Sequence, residues 1–243
     1  MSGLPIRGHL VCGGRFHDFD YARLRLLQLL AEHAEVRVTV SGDYTDSEAV
    51  ARADFLVTYT CDVRPTPEEQ DTLRAFAGRR GRWLALHGSN AAFDVSRTGA
   101  TARDDVPVFL DVLGSRFLAH PPPHVYTVEV ARPDHPLVAG IGSFTTTDEL
   151  YLIELADDVE VLLDTAFSGR ASGWAHDDWR HTTRHPVAYR RVDVYYLTLG
   201  HCRGHYDMQP LVDRYPEVER GSWELPAFEE LVRRGIQWAI EGP

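Results

Sequence analysis

The sequence predicts an α/β fold in which helices flank a mainly parallel β-sheet. Short apolar segments rich in Val, Leu and Tyr alternate with helical patterns through the first half of the chain, and this alternation is typical of βαβ units. With 243 residues, 44% of them hydrophobic, the chain can bury one large core. We therefore expect a single domain over residues 1–243, with extra β-strands in its less regular second half.

The first half contains four predicted strands and two predicted helices. The strands are the apolar segments 9–12, 36–40, 55–59 and 83–86. The first helix covers about residues 20–33, where leucines recur at the spacing of a buried stripe. The second begins at Thr66, which is followed by Pro67 and two glutamates, the features of a helix N-terminus. It is expected to end near Gly78.

The second half is predicted to add strands and a final helix. The strands are 125–130, 159–163, 187–190 and 194–199, and an amphipathic helix covers 225–240. Residues 167–185 contain two tryptophans and three histidines but no apolar period. We interpret this segment as a long ordered loop or lid, because two tryptophans are unusual in a linker.

The charge, the cysteines and the lengths of the apolar segments limit the classes of function. The formal net charge is -11, from 36 acidic and 25 basic residues scattered along the chain, so nucleic-acid binding is disfavoured and a small neutral substrate fits better. The three cysteines, Cys12, Cys61 and Cys202, suit reduced thiols in a cytoplasmic protein. We expect no membrane segment, because no apolar run approaches the roughly 20 residues of a membrane span. A homo-oligomer stays an open alternative.

The strand at 83–86 leads directly into the first candidate catalytic residue, His87. A strand that turns sharply into a helix exposes the residue at the bend, and Gly88 gives the backbone the freedom to turn. The positive end of a helix favours the neutral imidazole, which can act as a base or bind a metal. The alternative is a hydrogen-bonded structural histidine, with Ser89 or Asn90 as an ordinary cap.

A second candidate segment follows the apolar strand near the end of the chain, at residues 199–207. It contains His201, Arg203, His205 and Asp207, and such loops at strand ends commonly carry chemistry in α/β folds. His201 is the stronger histidine because the strand fixes its backbone. Arg203 could bind a carboxylate or a polarised oxygen. The alternative is an Arg203–Asp207 salt bridge beside a histidine that only caps the strand.

Adjacent carboxylates at 148–149 form a third candidate. If the chain is extended there, Glu149 and Tyr151 share one face and Asp148 points to the other. Glu149 with His87 and His201 would form a set of two histidines and one carboxylate, as in metal sites that keep open positions. The candidate cofactor is then a divalent metal such as zinc. The alternative is a solvated acidic turn.

Two further segments place histidines beside glycines or prolines. The glycines at 13–14 precede His17 and Asp18, but the spacings of nucleotide-binding loops are absent. Three prolines at 121–123 stiffen a loop that could present His124 at the rim of a pocket. For His17 and His124 a functional and a structural role are equally open, and His120 is expected to be structural.

Several motifs occur in one order along the chain: Gly-Gly-Arg-Phe-His-Asp-Phe at 13–19, Trp-Leu-Ala-Leu-His-Gly-Ser-Asn at 83–90, His-Pro-Leu-Val-Ala-Gly-Ile at 135–141, Asp-Glu-Leu-Tyr at 148–151 and Leu-Gly-His-Cys-Arg-Gly-His at 199–205. Their succession resembles the ThuA-like, or trehalose-utilisation, family over about residues 8–241. The chain differs from the common family pattern at 191–194 and in the segment 167–185.

The resemblance implies a class I glutamine amidotransferase-like fold, a flavodoxin-like parallel sheet between helices. It places His87 where amidotransferases have their catalytic cysteine, and His201 near the end of a late strand, as the amidotransferase histidine is. Because a neutral imidazole cannot replace the thiolate that forms the acyl intermediate, we do not expect glutaminase activity. The family is associated with sugar catabolism, and its reaction is poorly defined.

These observations favour an enzyme that acts on a small carbohydrate, such as a keto sugar or its glycoside, by isomerisation or elimination. A carbonyl acidifies the neighbouring C–H, so the reaction needs a positioned base and a group that stabilises the enolate. His87 and His201 would share acid and base duty, and Glu149, or a metal that it helps to hold, would orient or polarise the substrate. The predicted substrate contacts are His17, Asp18, Asn90, His124, Tyr151, Arg203 and His205.

Two other classes of function stay open. One is a cysteine hydrolase that uses Cys61 or Cys202 with a nearby histidine. The other is a non-catalytic module that binds sugars or regulates a partner on an amidotransferase-like fold. In the favoured hypothesis, Trp174 or Trp179 would stack on the sugar ring.

Overall fold

The computed structural model describes residues 4–242. Its strands are β1 (Ile6–Gly14), β2 (Val36–Ser41), β3 (Phe55–Cys61), β4 (Arg82–Leu86), β5 (Phe93–Ser96), β6 (Gly99–Ala102), β7 (Ser115–Ala119), β8 (His124–Val130), β9 (Phe144–Asp148), β10 (Leu152–Leu155), β11 (Glu160–Ala166), β12 (Arg184–Arg191) and β13 (Val194–Leu197). Its α-helices are α1 (Phe19–Leu30), α2 (Ser47–Arg52), α3 (Pro67–Gly78), α4 (Pro107–Leu113) and α5 (Pro226–Glu241).

Nine of these strands form one sheet in the order β2-β1-β3-β4-β13-β12-β11-β8-β9. The neighbours from β2 to β13 pair in parallel, whereas those from β13 to β9 pair antiparallel. The parallel part has the doubly wound order in which ligands bind outside the carboxyl ends of the strands. The expected α/β fold, with a parallel sheet and extra strands from the second half, is therefore confirmed.

Helices cover both faces of the parallel part and form two apolar cores. On one face α1 and α5 pack against the sheet, with Leu26 and Ile236 among the buried side chains. On the other face lie α2, α3 and α4, which contribute Leu73 and Phe109. Thr66 caps α3 as predicted, because its hydroxyl accepts the Glu69 N–H and the Glu69 carboxylate accepts the Thr66 N–H.

Some predicted elements differ from the structure. No helix follows His87: residues 87–90 form a single 3-10 turn, and the chain continues into the β5–β6 hairpin. The prediction missed α2, α4, β7, β9 and β10, which have four to seven residues each and are too short to show a period. Residues 167–183 contain no regular helix or strand, but they pair with the β5–β6 hairpin through a bridge between Ala100 and Trp174.

None of the helices within residues 4–242 combines the length and the apolar character that crossing a bilayer requires.

Candidate functional site

The bend after β4 fixes His87 in an unusual backbone conformation. Its φ is 47°, in the left-handed region, and the Tyr196 hydroxyl donates to the His87 carbonyl at 2.6 Å. Gly88 is required next to it, since a Cβ at this position would lie 2.6 Å from the Thr60 carbonyl oxygen. The sharp bend expected from the sequence is therefore present, without the helix. The expected helix dipole is therefore absent at His87, and a hydrogen bond at Nδ1 determines its tautomer.

Three other buried side chains meet His87 above the carboxyl ends of the parallel strands. His17 lies in the loop after β1, His201 follows β13, and Glu149 lies between β9 and β10. One potential ligand atom from each of the four residues lies within 4.8 Å of the others. The structure thus brings together the predicted set of His87, His201 and Glu149 and adds His17, which the sequence suggested only as a substrate contact.

His17 and His87 each have one ring nitrogen engaged by a backbone carbonyl. Nδ1 of His17 lies 3.1 Å from the Arg15 carbonyl, and Nδ1 of His87 lies 2.8 Å from the Thr198 carbonyl. Because a carbonyl only accepts, both Nδ1 atoms carry the hydrogen and both Nε2 atoms present lone pairs. These two Nε2 atoms are 2.9 Å apart. Two lone pairs this close repel each other unless a proton or a cation lies between them.

His201 directs a third ring nitrogen, Nδ1, to the same point. Its Nε2 lies 2.6 Å from Glu219 Oε2, and its buried Nδ1 finds no hydrogen-bond partner among residues 4–242. Glu149 Oε2 lies 3.3 Å from this Nδ1, 3.6 Å from His87 Nε2 and 3.8 Å from His17 Nε2. Three nitrogens and one carboxylate oxygen therefore converge.

Three imidazoles and a carboxylate are a donor set suited to zinc or a similar divalent metal. Zinc–nitrogen bonds of about 2.0–2.1 Å place tetrahedral ligands roughly 3.3 Å apart. The separations in this cluster begin at 2.9 Å and do not exceed 4.8 Å, so they bracket that value. The carbonyl bonds at Nδ1 of His17 and His87 are the outer contacts that metal-binding histidines usually make. The residues therefore fit a metal ion.

Burial and mutual charge shift the pKa values in the cluster strongly. Burial lowers the pKa of His17 to about 4, against a raising effect of Glu149. Burial would raise the pKa of Glu149, but His120, His201 and His17 together outweigh it and hold the pKa well below its usual range. Burial lowers the pKa of His201, yet Glu149 and Glu219 raise it to about 10. A divalent ion would replace the proton on His201.

Asp148 supports the site from its other side. Its carboxylate accepts the backbone N–H groups of Gly200, His201 and Ser222, and also the Ser222 hydroxyl at 2.5 Å. Asp148 and Glu149 are 0% and 6% exposed, so the alternative of a solvated acidic turn is wrong. The two adjacent carboxylates face different partners, one the loop backbone and the other the histidines.

Two predicted substrate contacts lie close to the site: Tyr151 next to the cluster, and Asp18 against the loop that carries Arg220. The ring of Tyr151 lies 4.5 Å from that of His87, between their centroids. Asp18 caps α1 through the Tyr21 N–H, and its other oxygen accepts from Arg220 at 3.0 Å.

The structure directs four other predicted contacts away from the cluster. The buried amide of Asn90 donates to Ser115 at 2.6 Å. Arg203 is paired with Glu219, whereas the alternative interpretation paired it with Asp207. A local sequence pattern could not specify these partners, because they lie 25 and 16 residues further along the chain. His124 and His205 bond to the carbonyls of Pro122 and Pro216, outside the cluster.

Sequence reasoning missed two residues that contact the cluster. His120, expected to be structural, places its Nδ1 3.8 Å from Glu149 Oε1, and its side chain is 23% exposed. Its ring lies 5.1 Å from that of Trp174. Glu219 comes from a loop that returns to His201, and no local motif marks it. The histidine-proline pattern at 120–124 could have indicated that His120 lies at the site.

The cysteines are poor candidates for a nucleophile. Cys12, Cys61 and Cys202 are all buried. Burial raises the pKa of Cys202 and of Cys12 to about 12 and that of Cys61 well above its usual range. Because the thiolate is the nucleophilic form, the geometry disfavours the cysteine-hydrolase alternative.

Solved structures with the same fold include two ThuA-like proteins. The protein from Bacteroides uniformis has a TM-score of 0.68 at 18% identity, over 98% of this chain and 93% of that chain. The protein from Parabacteroides merdae has a TM-score of 0.61 at 14% identity, over 97% and 90%. A protein from Thermoplasma acidophilum that is described as part of a GMP synthase has a TM-score of 0.52 at 11% identity, over 99% and 96%. These likenesses show that the chain shares the fold of these three proteins.

No curated protein matches the sequence. The sequence model of the ThuA family, described as trehalose utilisation, matches residues 11–214. This range includes all four side chains of the cluster, His17, His87, Glu149 and His201. Since the match covers most of the chain, the protein belongs to the ThuA family.

Proposed function

We propose that this protein is a metal-dependent enzyme that acts on a small carbohydrate, such as a keto sugar or its glycoside. His17, His87, His201 and Glu149 would hold one divalent ion. The observation that carries the proposal is the 2.9 Å approach of two lone-pair nitrogens, His17 Nε2 and His87 Nε2. The buried Nδ1 of His201 has no hydrogen-bond partner within residues 4–242, and it points to the same place.

A divalent ion held by these four side chains would need to accept a carbonyl or hydroxyl oxygen of the substrate as a further ligand, and it would then polarise that oxygen as a Lewis acid. This proposal moves His87 and His201 from acid–base duty to metal binding, because Nε2 of His87 and Nδ1 of His201 point into the cluster. The rest of the site is left to bind and orient the sugar. His120 is partly exposed and reaches Glu149, so its ring is placed to contact a bound substrate.

Two features support a sugar as the substrate. The family is described as trehalose utilisation. Trp174, which is half-buried, stands beside His120 and packs against Phe93 and Phe117 with ring centroids 5.2 and 4.9 Å away. Such a fixed aromatic side chain offers an apolar surface with little loss of conformational entropy on binding.

The test is elemental analysis of the purified protein, followed by assays with and without chelator on a panel of sugars and keto-sugar glycosides. We expect one equivalent of a divalent metal, and we expect turnover to disappear with the metal. The variants His17→Ala, His87→Ala and Glu149→Gln should lose the metal, whereas the matched variant His124→Ala should retain it. Wild-type protein that binds no added divalent metal, or full turnover after complete chelation, would overturn the proposal.

A further inference from the structure

Glu219 connects His201 to a buried guanidinium. Its Oε2 lies 2.6 Å from His201 Nε2 and 2.5 Å from Arg203 Nη2. The backbones of Arg203 and Glu219 also pair, with N–H to carbonyl distances of 2.9 and 2.8 Å in the two directions. Side chain and main chain therefore hold Glu219 at one position relative to His201.

This contact decides which nitrogen of His201 is free. An ionised carboxylate only accepts hydrogen bonds, so the hydrogen of the His201–Glu219 bond sits on Nε2. When a metal ion displaces the second proton of His201, the lone pair is on Nδ1, the atom that lies 3.3 Å from Glu149 Oε2. Without Glu219, the ring could rotate or place its hydrogen on Nδ1, and the third nitrogen donor would be lost.

Arg203 is only 7% exposed and shares the same carboxylate oxygen, so it restrains Glu219. The Glu219 side chain is 29% exposed and borders a cavity of about 430 Å³ that is also lined by Thr145, Thr147 and Arg220. Truncation at position 219 would therefore open onto space that water can fill, and it would leave no sealed void in the core.

We propose that Glu219 is a positioning residue for the metal site: it fixes the ring and the tautomer of His201 so that Nδ1 faces the metal, and Arg203 holds Glu219 in place. The inference rests on the proposed metal site. Carboxylates that hold a metal-binding histidine in this way raise metal affinity by about 10- to 100-fold. The competing explanation is a purely structural link between the loops at 203 and 219.

The test compares wild-type protein with Glu219→Gln, Glu219→Ala and Glu224→Gln. Glu224 lines the same cavity and serves as the matched control carboxylate. Zinc affinity is measured by competition with a chelating dye, the ligand field by the visible spectrum of the cobalt-loaded protein, and the fold by the melting temperature of the metal-free protein. We expect zinc affinity to fall about 10- to 100-fold for Glu219→Ala, with a changed cobalt spectrum. Glu219→Gln should be intermediate, because its amide oxygen can still accept from Nε2.

The outcomes separate this inference from the proposed function. If wild-type protein takes up no zinc or cobalt, both fail. If wild-type protein binds one metal and Glu219→Ala binds it with the same affinity and spectrum, the positioning role alone is overturned, even if the metal-free variant melts at a lower temperature. Glu219→Gln keeps the shape of the side chain and decides the question if Glu219→Ala does not fold.

Discussion

The carboxylate of Asp148 holds the backbone of His201, whose N–H donates to Oδ1 at 3.1 Å. The same carboxylate accepts the N–H groups of Gly200, Ser222 and Glu149 and the Ser222 hydroxyl. Asp148 is completely buried, so these donors take the place of solvent. One carboxylate thus connects the end of β9, next to Glu149, with the loop that carries His201.

Replacing Asp148 with Asn should destabilise the fold and disturb the site. The amide places an N–H₂ group against backbone N–H donors, and the free energy of unfolding should fall by about 3 kcal/mol or more. Urea denaturation of the metal-free protein measures this loss, with Asp157→Asn, on an exposed turn, as the control. A loss below about 1 kcal/mol, the typical effect of an ordinary mutation, would contradict the role of Asp148.

His17→Gln should abolish metal binding without destabilising the metal-free protein. The Nε2 atoms of His17 and His87 face each other at 2.9 Å, and the amide of Gln can donate to His87 where the imidazole cannot. Thermal melts with and without zinc check this prediction. Zinc should raise the melting temperature of the wild type, as a ligand of the native state does, and leave the variant unchanged. Equal zinc-induced shifts would contradict it.

Trp174→Ala should weaken substrate binding and leave the metal content intact. Trp174 lies beside His120 at the cluster, whereas Trp179 packs on His185 with ring centroids 5.6 Å apart. Removing the aromatic surface should raise KM about tenfold. Steady-state kinetics and metal analysis of Trp174→Ala and of the control Trp179→Ala check this. Similar KM values for both variants would argue against stacking of the sugar on Trp174.

Alkylation of the thiols should not affect activity. Cys12, Cys61 and Cys202 are buried, and burial raises the pKa of each thiol. We expect iodoacetamide to label the native protein very slowly and the urea-unfolded protein at all three cysteines within minutes. Mass spectrometry with parallel activity assays measures both. Rapid inactivation that parallels the labelling of one native thiol would restore the cysteine-hydrolase hypothesis.

Stability should fall as the pH is lowered through the titration of buried His9. Its ring nitrogens contact the hydroxyls of Thr39 and Ser41 at 2.8 and 3.1 Å, and burial lowers its pKa from 6.5, against a raising effect of Asp46. The unfolded chain therefore binds the proton more readily, so the stabilisation is complete above about pH 6.5 and is lost as the pH falls towards the folded pKa.

The measurement for His9 is urea unfolding of chelator-treated wild type and His9→Gln between pH 7.5 and 5. The wild type should lose more stability over this range than the variant, because Gln does not titrate. Parallel pH profiles for the two proteins would show that His9 is not the group responsible.

Local patterns were enough to predict much of the fold. The apolar runs of strands such as β1 and β4 and the cap at Thr66 depend only on neighbouring residues. The bend at His87 also followed from its surroundings, because a strand that ends in His-Gly has few ways to continue. The short elements α2, α4 and β10 were missed, because they fold through contacts with the sheet and helices and have no pattern of their own.

The sequence by itself determined the chemistry available at the strand ends, namely His87, His201 and Glu149. Only the tertiary structure decided that His17 joins them, that Asn90 and Arg203 turn to Ser115 and Glu219, and that Glu219 faces His201. The physical reason is twofold: the sheet order places the carboxyl ends of β1, β4 and β13 near one another, and the hydrogen bonds of Asp148 to the loop after β13 bring the end of β9 to the same site. Directions of side chains across such distances depend on packing, and no local spacing encodes them.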